Sequence, residues 1–351
     1  MVNDIKKILE IAIHAPSGEN CQPWKFKIKD NQIYLFNIPE RDQSPYNFGQ
    51  RGAFVSHGAL IENISIASLA VGLKAKISLF PERDDPNLVA IISFAKSMAR
   101  EESLFPYILE RTTNRRAYKK IPLTTEQRQA ILNSANQISK GKILLTENKE
   151  DIKILSLVGA MNERLVLENE VLHHFLFSHI NWTEKENQEK KIGFYIKTLE
   201  LPPPAQLAFK IFSSWKVLKK LNKIGISKAI WKQNGRVYGS CSAIGIITTQ
   251  GNNNEDFVNV GKVMQRMWLT ATKLSLSLQP MTGILFFMQR IIAGRFEPFS
   301  SDQIKLIQES YENVRRIFKL RNETVPMMFR TGYSDPPTAR ALKLEPEIVF
   351  D

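Results

Sequence analysis

Apolar residues recur at helical spacing from the start of the chain, where Ile5, Ile8, Leu9, Ala12 and Ile13 share one face of a helix over residues 1–14 that Pro16 closes. Alternating patterns over Lys25–Lys29 and Gln32–Phe36 predict two short strands around an Asp30-Asn31 turn. Ser56–Leu73 is apolar on most sides (Ala59, Leu60, Ile64, Ile66, Ala67), which predicts a central, buried helix. A strand over Asn87–Phe94 follows the Glu82–Pro86 turn. Thr124, with Gln127 three residues on, predicts a capped helix carrying Ala130, Ile131 and Ala135 inward. Further on, the pattern predicts strands at Lys142–Thr146, Ala243–Thr249 and Val325–Phe329, and helices at Ile152–His174, Gly261–Leu278 and Ser301–Ile317.

Asn181–Gln233 differs in kind. It opens with a charged run, passes Leu201-Pro202-Pro203-Pro204, and continues as a basic amphipathic helix. Phe209, Phe212, Trp215, Leu218 and Leu221 form one face; Lys210, Lys216, Lys219, Lys220 and Lys223 form another. A membrane-surface helix has this pattern. So does a lid laid over a site with its apolar stripe down, and in mid-chain the lid is the preferred reading.

The two long apolar helices align without a gap at a shift of 203 residues, which sets Gly58 on Gly261. Leu60, Ile64, Ile66, Val71 and Leu73 then fall on Val263, Met267, Leu269, Leu274 and Leu276. Each helix is followed, after a loop, by one apolar strand. This self-similarity suggests a duplicated α+β unit, although any two buried helices share some of the match.

Composition narrows the picture. With 351 residues, 43% of them hydrophobic, the chain has ample material for a core. A net charge of +13 admits nucleic acid, anionic lipid or a phosphorylated small molecule as partner. No zinc-finger spacing, RNA-binding aromatic signature or basic heptad helix is present, so nucleic acid is not expected. Cys21 and Cys241 lie far apart with no metal-ligand pattern around them, so neither a metal nor a disulfide is expected. The first helix alternates charged and apolar residues, unlike a signal peptide, and no apolar run suggests a bilayer span. A soluble, cytoplasmic protein without membrane contact is expected.

Glu110 to Lys120 concentrates Arg111, Arg115 and Arg116 with Thr112 and Thr113. On charge alone such a run is a solvated face. Its chemistry also suits an anion, because guanidinium donates paired hydrogen bonds to phosphate and Thr hydroxyls add donors. On an extended segment Arg111, Thr113 and Arg115 would face one way.

Three motifs together resemble the FMN-dependent nitroreductase-like flavoproteins. Arg111-x-Thr113-x-Arg115 is similar to the stretch that meets the flavin phosphate, ribityl chain and ring edge in that family. Ala15-Pro16-Ser17-Gly18-Glu19-Asn20-Cys21-Gln22-Pro23-Trp24 is similar to the loop that the second subunit brings to the same flavin. Leu278-Gln279-Pro280-Met281-Thr282-Gly283 is similar to the segment beside the flavin ring. Gly332-Tyr333 and Arg340 resemble the closing strand and the basic residue completing the phosphate site. The match covers most of the chain except Asn181–Gln233.

The resemblance implies an α+β fold in which two pseudo-symmetric halves mimic a dimer, with antiparallel-rich central sheets flanked by helices. The first half would be residues 1–100 and the second 101–351, the latter with a lid-like insertion at 181–233. The first half has the proline-serine loop but no arginine motif. The second has the arginine motif, but after its helix reads Ser134-Ala135-Asn136-Gln137-Ile138. One complete FMN site per chain is therefore implied, in a monomer acting as a pseudo-dimer.

Arg111, Arg115 and Arg340 would hold a phosphate of charge about −1.5 to −2. Thr113 would add a donor, and Ser17 and Asn20 would bond the ring's carbonyls and imide, with Pro16 and Trp24 shaping the loop. Pro280, Thr282 and Gly283 would lie along the ring, a backbone N–H meeting N5. No acid–base triad is evident; His14 and His57 read as capping or core histidines and Cys21 as a small filler. The implied activity is hydride transfer from NAD(P)H through FMN to a small nitro, quinone or enone acceptor. The alternative is a lidded protein that stores or sequesters FMN without turnover.

Overall fold

The computed structural model describes residues 2–97, 102–138 and 140–350, so the expected boundary between residues 100 and 101 lies outside the described residues. The fold is α+β. In its first part α1 (Val2–Ala12), β1 (Trp24–Lys29), β2 (Gln32–Asn37), α2 (Arg51–Ala70), β3 (Leu73–Leu79) and β4 (Leu88–Lys96) follow one another. Then come α3 (Tyr107–Glu110), α4 (Thr125–Asn133), β5 (Lys142–Thr146), α5 (Lys149–Glu168) and α6 (Glu170–Ser178). The inserted region holds β6 (Ile180–Asn181), α7 (Glu184–Lys190), β7 (Phe194–Tyr195), α8 (Pro203–Phe212), α9 (Trp215–Asn222) and α10 (Ile226–Tyr238). The chain finishes with β8 (Ala243–Thr249), α11 (Asn254–Lys273), β9 (Ser277–Pro280), α12 (Gly283–Ile292), α13 (Ser301–Phe318), β10 (Thr324–Gly332) and β11 (Ile348–Phe350).

The strands form two larger sheets, of order β11-β1-β2-β4-β3 and β5-β8-β10-β9, and a small β6–β7 pair. In the larger sheets all neighbours are antiparallel except β1 and β11, which run parallel; β6 and β7 are also parallel. The β1–β2 hairpin turns on Asp30 and Asn31, both at positive φ (50° and 58°), the conformation that a two-residue turn matching strand twist requires. The last strand, β11, leaves the second part of the chain and extends the sheet of the first.

The core is built on α2 against α11. They cross at Gly58 and Gly261, where a Cβ on Gly58 would lie 1.9 Å from the Val258 carbonyl oxygen and one on Gly261 1.9 Å from that of Val55. Neither position can carry a side chain unless the helices part. The contacts are reciprocal, since Val55 and Val258 each lie three residues before the glycine of their own helix. One turn further on, Arg266 Nε donates to Glu62 Oε1 (2.6 Å) and Gln265 Nε2 to Asn63 Oδ1 (2.7 Å). At the 203-residue shift these two pairs exchange places.

Several boundaries differ from the sequence reading. The central helix spans residues 51–70, and Leu73–Leu79 is a strand whose Leu-Lys-Ala-Lys-Ile alternation continues the apolar run after Gly72 (φ 74°). Its partner starts at Asn254 behind a capping box of Asn253 and Asp256, and ends before the β9 strand. The helix expected over 152–174 is broken at Asn169, whose side chain caps α6 by accepting from the Leu172 amide. The basic helix is three helices, parted at Ser213-Ser214 and at Gly225 (φ 85°). One helix, residues 48–70, is long and apolar enough to cross a membrane by composition, contrary to expectation. It is mostly buried inside the protein as the core helix just described.

Candidate functional site

The loop after α1 is where distant parts of the chain converge. Glu19, Asn20 and Gln22 all take left-handed backbone (φ 44°, 55° and 50°), a conformation each non-glycine residue adopts at a cost. Long-range hydrogen bonds hold them there. Asn20 Nδ2 donates to the carbonyls of Lys191 and Leu342 (both 2.9 Å), and its Oδ1 accepts from Lys343 Nζ (2.9 Å). Gln22 Nε2 donates to Lys191 O (2.8 Å), and Gln22 Oε1 accepts from the Leu344 amide (2.9 Å). The Gly193 amide donates to Glu19 O (2.9 Å). Ser17 Oγ accepts from the Gln22 amide (3.0 Å), and Pro16 beside it is half-buried. First half, insertion and C-terminal segment are thus fastened together at one loop.

The arginine stretch runs beside it. The Asn114 amide donates to Leu278 O (3.1 Å), and its side chain donates to Ser277 Oγ and Asp335 O, which lays the stretch along β9. Arg111 turns inward: its guanidinium lies over the Trp268 ring (4.5 Å) and Nη2 donates to His14 O (2.8 Å), while Nε is buried without a partner. Burial, then the nearby Arg340 charge, lower the Arg111 pKa to about 10. Lys343 Nζ donates to Ala15 O (2.8 Å), and burial followed by the Arg111 charge lowers its pKa to about 7. His14 is lowered by burial, Lys343 and Arg111 in that order. Arg340 is exposed and donates to Leu109 O (2.7 Å). Among the described residues neither Arg111, Arg340 nor Lys343 has a carboxylate partner.

Arg115 points elsewhere. Its Nη1 donates to Thr198 O (3.0 Å) and its guanidinium lies 5.5 Å from the Phe194 ring, so it grips the insertion. Burial lowers its pKa, while Tyr238, Tyr118, Glu200 and Glu163 act the other way. Thr113 is half-buried between the two arginines.

The third segment meets α5. Pro280 pairs with Phe329 at the end of β9, the Thr282 carbonyl accepts from the Leu285 amide (2.9 Å), and Gly283 opens α12. A Cβ at Gly283 would lie 2.2 Å from Asn162 Oδ1, so a side chain there would displace that amide. Asn162 Oδ1 has no partner; nor has Glu163 Oε2, although Glu163 Oε1 accepts from the Tyr238 hydroxyl (2.7 Å). Burial raises Glu163, and raises Glu19 to about 8 with help from Asp42.

Glu19, Tyr46, Arg111, Arg115, Glu163, Tyr238 and Lys343 are all shifted first by burial, yet each keeps some accessible surface. These half-buried groups lie within electrostatic reach of one another, Tyr46 of Glu19 and Glu163, and Arg115 of Tyr238 and Glu163. The Arg111–Lys343 side of the cluster is cationic; the Glu163–Tyr238–Asn162 side is neutral to acidic. The structure brings Pro16, Ser17, Asn20, Arg111 and Arg340 to the first side, and Thr282 and Gly283 to the second. Asn20 already spends both amide hydrogens on backbone carbonyls, and Arg115 is occupied with the insertion.

Lys343, Asn162, Glu163, Tyr238 and Glu19 escaped the sequence reading. The polar run Asn162-Glu163-Arg164 between apolar segments of α5 was a usable signal. Lys343 lies in an irregular tail and offered none.

No family model matches the chain. It is 24% identical over 339 residues to uncharacterized protein MT1398 of Mycobacterium tuberculosis, covering 94% of this chain and 46% of that protein. It is 32% identical over 91 residues to the same species' "Putative NAD(P)H nitroreductase acg", covering 26% of this chain and 28% of the other. The chain thus spans half or less of these curated relatives. Among solved structures, it is similar to a Bacteroides fragilis nitroreductase with bound FMN at a TM-score of 0.38 and 10% identity, covering 70% of this chain and 95% of the other. These likenesses are distant: low in identity or confined to about a quarter of the chain.

Proposed function

We propose that the chain binds one FMN and passes hydride or electrons from NAD(P)H to a small nitro, quinone or enone acceptor. The observation that carries this reading is that the half-buried Arg111 and Lys343, side by side at the Pro16–Trp24 loop, bond only neutral oxygens and have no carboxylate partner among the described residues. Burying such cations without a counter-charge is costly, and a phosphate dianion would offset that cost with charge-assisted hydrogen bonds. The fit extends from the loop to α5. Arg111 with its free Nε, Lys343 and Arg340 would hold the phosphate, and Ser17 and Thr113 would meet the ribityl chain. Gly283, Asn162 and Glu163 would border the ring. When bound, FMN supplies the two-electron redox chemistry. The chain's own residues bind and orient it, and the insertion excludes water through the Lys191, Gly193 and Thr198 carbonyl and amide contacts.

In the same reading the chain is a cytoplasmic monomer whose halves stand in for two subunits. The reciprocal contacts around Gly58 and Gly261 support that arrangement, as does β11 crossing to the first sheet.

A second reading has an observation in its favour. Four hydrogen bonds close the insertion over the loop and the arginine stretch: those of Asn20 and Gln22 to Lys191 O, of Gly193 to Glu19 O, and of Arg115 to Thr198 O. A lid held so firmly suits storage or sequestration of FMN without turnover. Anaerobic addition of NADH or NADPH to FMN-loaded protein separates the two. Bleaching of the visible flavin band supports the oxidoreductase; bound flavin that stays oxidised supports storage. A chain with no affinity for FMN sinks both.

A further inference from the structure

The insertion presents two unlike faces. Inward, Leu218 is buried, Phe209 packs on Phe177 and Trp182, Trp215 on His173, and Trp231 Nε1 donates to Leu157 O (2.8 Å). Outward, Leu207 and Ile211 lie one turn apart on α8, 64% and 50% exposed. Val217 on α9 and Ile224 just beyond it are 39% and 77% exposed. Leu207 and Ile224 are the most exposed large apolar side chains among the described residues. Around them, residues 201–240 contain Lys210, Lys216, Lys219, Lys220, Lys223, Lys228, Lys232 and Arg236 and not one Asp or Glu. All eight basic residues are exposed. A region of forty residues thus carries most of the net charge of +13.

We infer that the α8–α9 face of the insertion docks on an anionic lipid surface. Protruding aliphatic side chains within a basic field match a bilayer interface, where acyl boundary receives the former and anionic headgroups the latter. A nucleic acid would use the charge but gain nothing from Leu207, Ile211 and Ile224; Phe209 and Trp215, which could stack on bases, face inward. A second copy of this face would bring the five lysines of residues 203–224 against five more, with no Asp or Glu among them. The inference is independent of the flavin reading. It gives the insertion two faces, an inner one packed on the rest of the chain and an outer one that meets lipid.

Flotation of the full chain with phosphatidylglycerol-rich and with pure phosphatidylcholine vesicles tests it. The expected result is flotation with the anionic vesicles only, weakening as salt shortens the Debye length. The double change Leu207→Ser with Ile224→Ser should lower the partition coefficient roughly tenfold. The triple change Lys216→Glu, Lys220→Glu and Lys223→Glu should abolish binding. All five positions are surface sites, and unchanged melting by circular dichroism confirms that the variants are folded. A wild-type chain that stays at the bottom with anionic vesicles overturns the inference. So does a serine pair without effect accompanied by tight binding of a single-stranded oligonucleotide, which makes the face a nucleic-acid surface.

Discussion

The turn after α1 and the turn after α4 hold comparable places, each between a helix and a strand, β1 in one case and β5 in the other. The second is satisfied locally: Ser134 Oγ donates to Ile131 O (2.6 Å), the Ile138 amide to Ala135 O (3.0 Å), and Ala135 and Ile138 are buried. The first keeps three left-handed residues and sends its polar groups to Lys191, Leu342, Lys343 and Leu344. It also faces two cations without carboxylate partners. In the proposed reading, strain held by distant contacts beside cations without carboxylates marks the first turn as the binding turn, and the local bonds of the second mark it as scaffold. That contrast supports the proposal of one site per chain.

The comparison breaks most visibly at Arg111. If the first turn faces an anion site, Arg111→Met should weaken FMN binding by roughly a hundredfold, about 3 kcal/mol for charge-assisted bonds to phosphate. Lys119→Ala, at an exposed lysine beside Asp335, should leave the titrated affinity unchanged. Equal losses would return the arginine stretch to the solvated surface.

Next in size is the difference between two asparagines. Asn20→Ala removes bonds to Lys191, Leu342 and Lys343, and should cost about 2 kcal/mol in chemical denaturation. Asn136 is exposed and its amide donates to Asn133 Oδ1 at 3.3 Å, so Asn136→Ala should stay within about 0.5 kcal/mol. A cost at Asn136 equal to that at Asn20 would erase the asymmetry.

A subtler effect follows from Lys343. Its folded pKa of about 7 lies below the ordinary lysine value, so between the two the unfolded chain binds more protons and stability rises with pH. The FMN-free protein should therefore gain melting temperature from about pH 7 upward into the ordinary lysine range, and Lys343→Met should flatten that rise. Saturating FMN should flatten it too, since a phosphate beside the ammonium removes the penalty. A ligand-free profile that falls across this range, in both wild type and variant, contradicts the burial of an unpaired ammonium there.

Much of this was legible in the residues. The Thr124–Gln127 capping box, the β1–β2 hairpin and β5 and β8 lie where local pattern set them. The glycine alignment brought together two positions that touch in space, because close helix crossing demands small residues on both sides. Pro16 to Trp24 and Arg111 carried enough chemistry to be read as parts of one site. What escaped was set by tertiary contact. Leu73 read as the end of α2, but Val71-Gly72 parts it from the helix and it opens β3. Asn169 looked like a polar position on one long helix, yet its side chain caps a second. Asn20 read as a ligand group, whereas partners more than 170 residues away use its amide, a pairing no local pattern announces. Lys343 shows the same limit, since its environment comes from α1's loop and from Arg111.

The central claim is a single flavin site assembled from both parts of the chain. Its most direct test is the FMN-to-protein ratio after saturation and gel filtration, measured from the visible flavin absorbance and a quantitative protein assay. The expected result is one FMN per chain, with Arg111→Met losing it on the column. Two per chain, or none, would contradict the account.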